Sequence, residues 1–428
     1  MSLSGSLRRE TEDDPSATEQ TTEIAAVTGE PPAVSAEGPS ERTRRLYVIV
    51  LAALLVLLAF GVRLSLFRYQ TADYTAFYRR WYDFVVSQGG IGALKYEFSD
   101  LNAPYRYFMV LLPYLPVPSP LAGIKAFSVF FDMVIAFFVF RIVALKYPSR
   151  WIAAAAAFIA FMLPTVVINS AMWAQGDAIY TAFSLGAVYF LLRKRPWWAC
   201  VFFGLALSFK LQAIFLFPLL LVMVLLGRVP WRALVAIPVV YLLLDVPALL
   251  AGASPSKLLT VYFSQTSIYP QLTLSAPNIW QFFRGEHGME AMKTAAVLLT
   301  ALLVFTLCLL VVLSRVELTD TRILLIGAIS AVLVPFVLPS MHERYFYLAD
   351  VLTLVLAFYL PRQLWYVPII VEFCSLMCYI PNIFFAKPGG ETVDFRILAA
   401  LELCALVVLV RYAVWDFRRH RVREPLIR

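Results

Sequence analysis

The sequence predicts an all-α, polytopic membrane protein. Hydrophobic residues make up 61% of the chain and charged residues 15%, whereas a soluble domain is nearer half apolar and a quarter charged. Many apolar runs approach or exceed the ~20 residues that a helix needs to cross the hydrocarbon core. The first of them, Leu46 to Phe67, is too long for the apolar core of a cleavable signal peptide.

Taken in order, the spans are expected at about 46–67, 121–144, 151–169, 177–193, 197–209, 212–227, 231–250, 290–313, 322–339, 345–360, 363–384 and 395–415. That makes about twelve, with 197–226 readable instead as one long bent span. Residues 1–43 are polar and rich in Ser, Thr, Glu, Pro and Ala, cannot bury a core, and are expected to be a disordered cytoplasmic tail. Residues 44–416 form the membrane domain and 417–428 a basic cytoplasmic tail. An even number of spans puts both termini on one side. "ERTRR", "RIVALKYPSR", "RKRP", "GRVPWR" and "DFRRHRVR" then share that side, which the positive-inside rule makes cytoplasmic.

The opposite face keeps cations of its own: Arg68, Arg79, Arg80, Lys95, Arg106, Lys210, Lys257, Arg284 and Arg344. Set beside aromatics, they suggest an anionic ligand. Two outer loops are long. In the first, about 68–120, Asp73, Phe77, Arg80, Trp81 and Phe84 fall near helical spacing, the pattern of an amphipathic interfacial helix. Tyr105 to Pro116 is apolar but too short to span easily, and reads as a second interfacial or re-entrant helix. The other loop, about 251–289, carries amides and aromatics that suit a sugar site or a packed lid.

The five cysteines lie in or beside apolar runs and read as small core residues. The histidines have no zinc spacing, so no metal is expected, and no cofactor is called for. The net charge of +8 fits basic cytoplasmic loops. It does not suggest nucleic acid, since no basic face with interleaved aromatics lies outside the apolar runs. Neither a P-loop nor a dinucleotide-binding glycine pattern is present.

Four clusters carry chemistry, all on the outer face of this topology. Asp73, just past the first span, suits a general base, though by its position alone it reads first as an N-cap for "YTAFYRRW"; Asp100 and Asp83 are weaker candidates for the base. "NSAMWAQGDAIY" sets Gln175 and Asp177 at a span junction, where ionisable groups are functional candidates. Lys210 and Gln212 interrupt a greasy run in "LSFKLQA"; the lysine either snorkels harmlessly or meets a phosphate. "PSMHERYFY" puts His342, Glu343 and Arg344 in a row, with Phe346 where a zinc HExxH motif needs histidine. The arginine suits phosphate and the histidine a hydroxyl or phosphate oxygen, or the three form a structural hydrogen-bond knot. Together the clusters suit a lipid-linked sugar phosphate, the cations holding the phosphate as leaving group.

"ADYTAFYRRWYDFVVSQGG", "FSDLNAPYRYF", "NSAMWAQGDAIYTAF", "GLALSFKLQAIFLFPLLL" and "MHERYFY" cover most of residues 70 to 350. With them the chain resembles the GT-C superfamily of integral-membrane glycosyltransferases, within it bacterial mannosyltransferases related to the GPI-anchor second-mannose enzyme. The resemblance implies a polyprenyl-phosphate sugar donor, a lipid or glycan acceptor, and a site on the outer face of a bacterial plasma membrane. It implies that Asp73 is the catalytic aspartate and that Asp177, Lys210, His342, Glu343 and Arg344 surround the donor phosphate. Gln175, Gln212 and Arg80 are further candidates for substrate binding. The paired acidic motif of some relatives is here a lone Asp73 followed by Tyr74, which keeps Asp100 as reserve base. A transporter or flippase of lipid-linked saccharides is the alternative; it predicts internal repeats and polar groups near the midplane.

Overall fold

The computed structural model describes residues 40–283, 289–384 and 393–421. Most of the expected N-terminal tail, the end of the basic C-terminal tail and Arg284 lie outside the described residues. The chain divides into two compact units, Met1–Leu55 and Val56–Arg428. In the first, the described part begins at Ser40, whose hydroxyl accepts the Thr43 N–H at 3.3 Å, and continues as the opening turns of the helix Glu41–Leu66.

The second unit is all-α among its described residues except for two strands of two residues each. Seven helices are long and apolar enough to cross a membrane: Glu41–Leu66, Pro120–Lys146, Trp231–Leu250, Met289–Ser314, Asp320–Val337, Val367–Phe384 and Phe395–Arg419. Arg150–Met162 and Pro164–Met172 add an eighth if read as one span bent by 52°. The remaining four expected spans are shorter helices, Asp177–Leu192, Pro196–Phe209, Leu211–Leu225 and Tyr347–Tyr359. A straight crossing takes ~20 residues, so these four do not establish the expected count of twelve by length. Two of them, Asp177–Leu192 and Tyr347–Tyr359, are almost wholly buried among other helices.

Helix packing uses small residues where backbones approach. A Cβ on Gly186 would meet the Phe202 ring at 2.2 Å, and one on Gly204 would meet the Ile237 carbonyl oxygen at 3.1 Å; small residues serve the same purpose in membrane bundles generally. The opposite surface property marks Met289–Ser314. There Leu298, Leu302, Phe305 and Leu309 are exposed at helical spacing, an apolar stripe suited to lipid. The protein is an integral membrane protein.

Two buried polar locks shape the bent pair. At its break, Glu372 of Val367–Phe384 accepts the Thr165 N–H and the Thr165 hydroxyl, each at 2.8 Å. This satisfies a backbone N–H left open at the new helix start, together with the Thr165 side chain. Deeper in the bundle, Arg63 donates to Asp132 at 3.2 and 3.3 Å, and Ser170 donates to the same carboxylate at 2.6 Å. An ion pair this buried (1% and 0% exposed) is expensive to break by removing one partner. Here it ties the π-helical turn Ile168–Met172 to its neighbours, and that turn delivers the next residues to the site.

The first long loop forms the helices expected of it. Tyr74–Tyr78 is a π-helical turn continuing into Arg79–Ser87, and Ala103–Leu111 is a short α-helix begun with Pro at its first turn.

Candidate functional site

Asp73 is placed by the end of the first helix. The Lys125 ammonium donates to the carbonyls of Leu66, Phe67 and Tyr69 at 3.1, 3.1 and 2.7 Å. It thereby satisfies acceptors that a helix C-terminus leaves open and fixes where the chain turns. Thr71 then donates to the Trp173 carbonyl at 3.3 Å. Asp73 itself is already helical and its carboxylate makes no capping hydrogen bond, so the N-cap reading of this residue is set aside. Instead the carboxylate accepts from the Trp173 indole at 3.1 Å and from the Gln175 amide at 2.6 Å.

Between these two donors sits Ala174, buried, with φ of +66°. A left-handed alanine costs roughly 1–2 kcal/mol. The turn sends the side chains on either side of it to one carboxylate, a local strain of the kind that gathers at functional sites.

Asp177 opens the next helix and is fully buried. It accepts from Lys210 in a direct ion pair and from Asn169 at 3.0 Å, and lies 3.6 Å from the Arg344 guanidinium. Lys210 stands where the helix Pro196–Phe209 ends and the backbone becomes extended (φ −153°, ψ 135°) before a 3-10 turn, Leu211–Leu216. Its side chain is 19% exposed. Two of its three N–H groups therefore remain beyond the one that meets Asp177.

His342, Glu343 and Arg344 are held by a pairing invisible in the sequence. Thr273–Leu274 and Met341–His342 form a two-stranded parallel ladder. It is extended by Ser340 N–H to Leu272 O at 2.7 Å and Glu343 N–H to Leu274 O at 3.1 Å. The ladder stitches the second long loop to the charged junction. Arg344 donates to Glu343 at 2.7 Å, and His342 lies 3.5 Å from the same carboxyl group. Burial opposes the charged form of Glu343, but the His342 hydrogen bond and the Arg344 charge outweigh it and hold its pKa at about 2. Arg344 also lies over the Trp173 ring at 5.6 Å, and its Nε has no hydrogen-bond partner.

The structure thus joins residues from four distant segments into one cluster: Asp73, Gln175, Asp177, Lys210, His342, Glu343 and Arg344, linked through Trp173 and Asn169. Four other candidates stand outside these hydrogen bonds and ion pairs. Arg80 is exposed. Asp100 is exposed as a residue and its backbone carbonyl accepts from Gln265 at 2.5 Å, but its carboxyl is partly buried, which raises its pKa, and lies near enough to Arg344, Lys210 and His342 to feel their charge. Gln212 is buried with its amide oxygen unpartnered. Asp83 pairs with Arg79 at 3.8 Å on an open surface. Trp173 and Asn169 were legible only as members of a polar stretch, and Ala174 carried no signal at all.

The fold and the cluster define an all-α integral membrane protein in which one group of ionisable residues gathers where several helices begin and end. Its fold is similar to that of ArnT from Cupriavidus metallidurans, solved bound to undecaprenyl phosphate. The likeness has a TM-score of 0.52 at 14% sequence identity and covers 87% of this chain and 78% of that one. The all-α, polytopic membrane architecture expected from the sequence is the one found, and this neighbour shares it. No protein-family model matches the chain, and no curated protein matches it by sequence.

Proposed function

We propose that the protein is a glycosyltransferase that takes a sugar from a polyprenyl-phosphate donor. The observation that carries this reading is a half-buried carboxylate, Asp73, set beside partly buried cations from two other segments and joined to them through Trp173, which donates to Asp73 and lies under Arg344. A base and an anion-binding group are the two parts that such a transfer needs. The likeness to a protein solved with undecaprenyl phosphate supports the donor class.

In this mechanism Asp73 accepts the proton of an acceptor hydroxyl. The acceptor oxygen forms a bond to the anomeric carbon as the bond to the phosphate oxygen breaks, with inversion. The leaving polyprenyl phosphate carries away the electron pair, and its charge is met by Lys210 and Arg344 with a further contact from His342. Asp177 and Glu343 are positioning residues: they hold the two cations in place, while Trp173 and Gln175 aim the base. Mannose is the sugar proposed and a lipid or glycan the acceptor. The site faces the outside of a bacterial plasma membrane, with both termini cytoplasmic.

The test is transfer from radiolabelled polyprenyl-phosphate-mannose into membrane lipids and glycans, by wild type and by Asp73→Asn at equal expression. The reading requires transfer by the wild type and its loss in the variant. Full transfer by Asp73→Asn sinks the base assignment. Wild type that transfers neither mannose nor any other lipid-linked sugar sinks the enzyme.

A further inference from the structure

Away from the Asp73 cluster lies a second polar site. A cavity of about 250 Å³ is lined by Lys95, Glu97, Arg106, Gly252, Ser254 and Lys257, among others. It brings three cations to one carboxylate. Glu97 pairs with Lys257 at 3.0 Å, but both side chains are largely exposed (45% and 61%), so the pair is weak and easily rearranged.

Arg106 is the telling residue. It is 4% exposed. Its Nη1 donates to the Tyr96 carbonyl at a long 3.4 Å, and its Nε has no partner. Among the described residues no carboxylate is within ion-pair distance of it, although Glu97 and the buried Asp245 are near enough to act on its charge. A buried, underused guanidinium is costly. It is completed by a group that brings negative charge and several acceptors in a fork-matching geometry, which describes a phosphate.

Two further features point the same way. Lys95 has no ion-pair partner among the described residues and rests near the Tyr96 ring at 4.8 Å. The helix Pro255–Ser267 begins on the cavity wall, and its cap residue Ser254 makes no side-chain capping bond. The open N–H groups of its first turn therefore favour an anion. Gly252, at φ +95°, lets the chain turn tightly into that helix.

The helix Ala103–Leu111 separates the two sites. Tyr105 lies toward the cluster, where a Cβ on Gly176 would meet its ring at 3.1 Å. The next residue, Arg106, lines the cavity. Leu250 (84% exposed) and Leu259 (53% exposed) flank the wall segment 252–257, apolar surface that suits lipid chains beside a bound headgroup.

We infer that this cavity is a second anion subsite that binds a phosphoryl group, separate from the Lys210 and Arg344 pair. The assignment holds whatever group the Asp73 cluster transfers. The full-length protein is reconstituted in phosphatidylcholine nanodiscs and titrated with radiolabelled dioctanoyl phosphatidate, and separately with inorganic phosphate as competitor. The double variant Lys95→Gln/Lys257→Gln changes only exposed side chains and leaves the fold intact. It is expected to weaken phosphatidate binding about tenfold or more, as loss of charge-assisted contacts does. Arg106→Gln weakens it likewise, and Lys210→Gln leaves it within about twofold. Competition by inorganic phosphate supports the subsite with free phosphate as its source; phosphatidate binding without such competition supports it with a lipid headgroup as source. Wild-type affinity in the double variant, loss of all binding in Lys210→Gln, or no saturable binding of either probe overturns it.

Discussion

The Gln175 amide donates to the Asp73 carboxylate at 2.6 Å across 102 residues of chain. Together with the Trp173 indole it leaves the second carboxylate oxygen of Asp73 outside these bonds. A base must have its orientation fixed by groups that do not consume its proton-accepting lone pairs, and this arrangement meets that requirement.

Trp173→Phe isolates the effect of orientation. It removes the indole donor and keeps an aromatic face for Arg344. Losing one hydrogen bond to a charged acceptor is expected to lower kcat about tenfold, with KM little changed. Steady-state transfer kinetics on folded, membrane-inserted protein check this. A rise in KM at constant kcat would mean that Trp173 serves binding rather than the base.

Asp177 is the common acceptor for Lys210 and Asn169 and faces Arg344. Asp177→Ala leaves Lys210 without its ion-pair partner beside Arg344, which keeps only Glu343; breaking a buried pair by removing one partner typically costs about 3–5 kcal/mol, and the partial exposure of Lys210 lowers that figure. Lys210→Gln removes the partly exposed cation and keeps a polar side chain. We expect Asp177→Ala to lower the thermal midpoint in detergent sharply, and Lys210→Gln to keep most of the stability while losing transfer. Equal midpoints for Asp177→Ala and wild type would show that the ion pair is not what holds this junction.

Much of this was readable in the sequence because helices in lipid have a plain signature: long apolar runs, interrupted where function needs charge. Lys210 and Asp177 were visible as interruptions of that kind. Their pairing was not, since it depends on where a bent helix and a 3-10 turn place the chain. The ladder between Thr273–Leu274 and Met341–His342 is two residues long, too short for any strand periodicity. Its register is set by tertiary closure. Asp73 showed the reverse problem. A carboxylate before a helical pattern reads as a cap, but the helix here begins earlier than the pattern suggests, so the side chain is free to serve Trp173 and Gln175.

Glu343 makes a pH-dependent contribution. Its folded pKa lies at about 2, below the ordinary value of 4.5. Its stabilising effect is therefore complete above about pH 4.5 and is lost as pH falls towards 2. Burial works against this, and the surplus comes from His342 and Arg344. Comparing thermal midpoints of wild type and Glu343→Gln from pH 7 to pH 2.5 isolates the effect. The advantage of wild type should hold to about pH 4.5 and shrink below it. An advantage that persists unchanged at the acid end would place the stabilising interaction in packing rather than in charge.

Ala174 connects backbone strain to the site. Its left-handed φ of +66° is a conformation glycine adopts without penalty. Ala174→Gly removes that penalty in the folded state but gives the unfolded chain more freedom. The two effects oppose each other, and stability should shift by less than about 1 kcal/mol. Ala174→Val adds a β-branched side chain at positive φ in a position with no exposure, where the strain is greater and a buried methyl group must find room. It should lower stability by about 2 kcal/mol or more and should reduce transfer beyond what the lost folded fraction explains, because Trp173 and Gln175 no longer converge on Asp73. Transfer per folded molecule, with the folded fraction measured by size-exclusion chromatography, separates the two losses. Wild-type transfer per folded molecule in Ala174→Val would mean that the turn is structural alone, and that Asp73 keeps its aim without it.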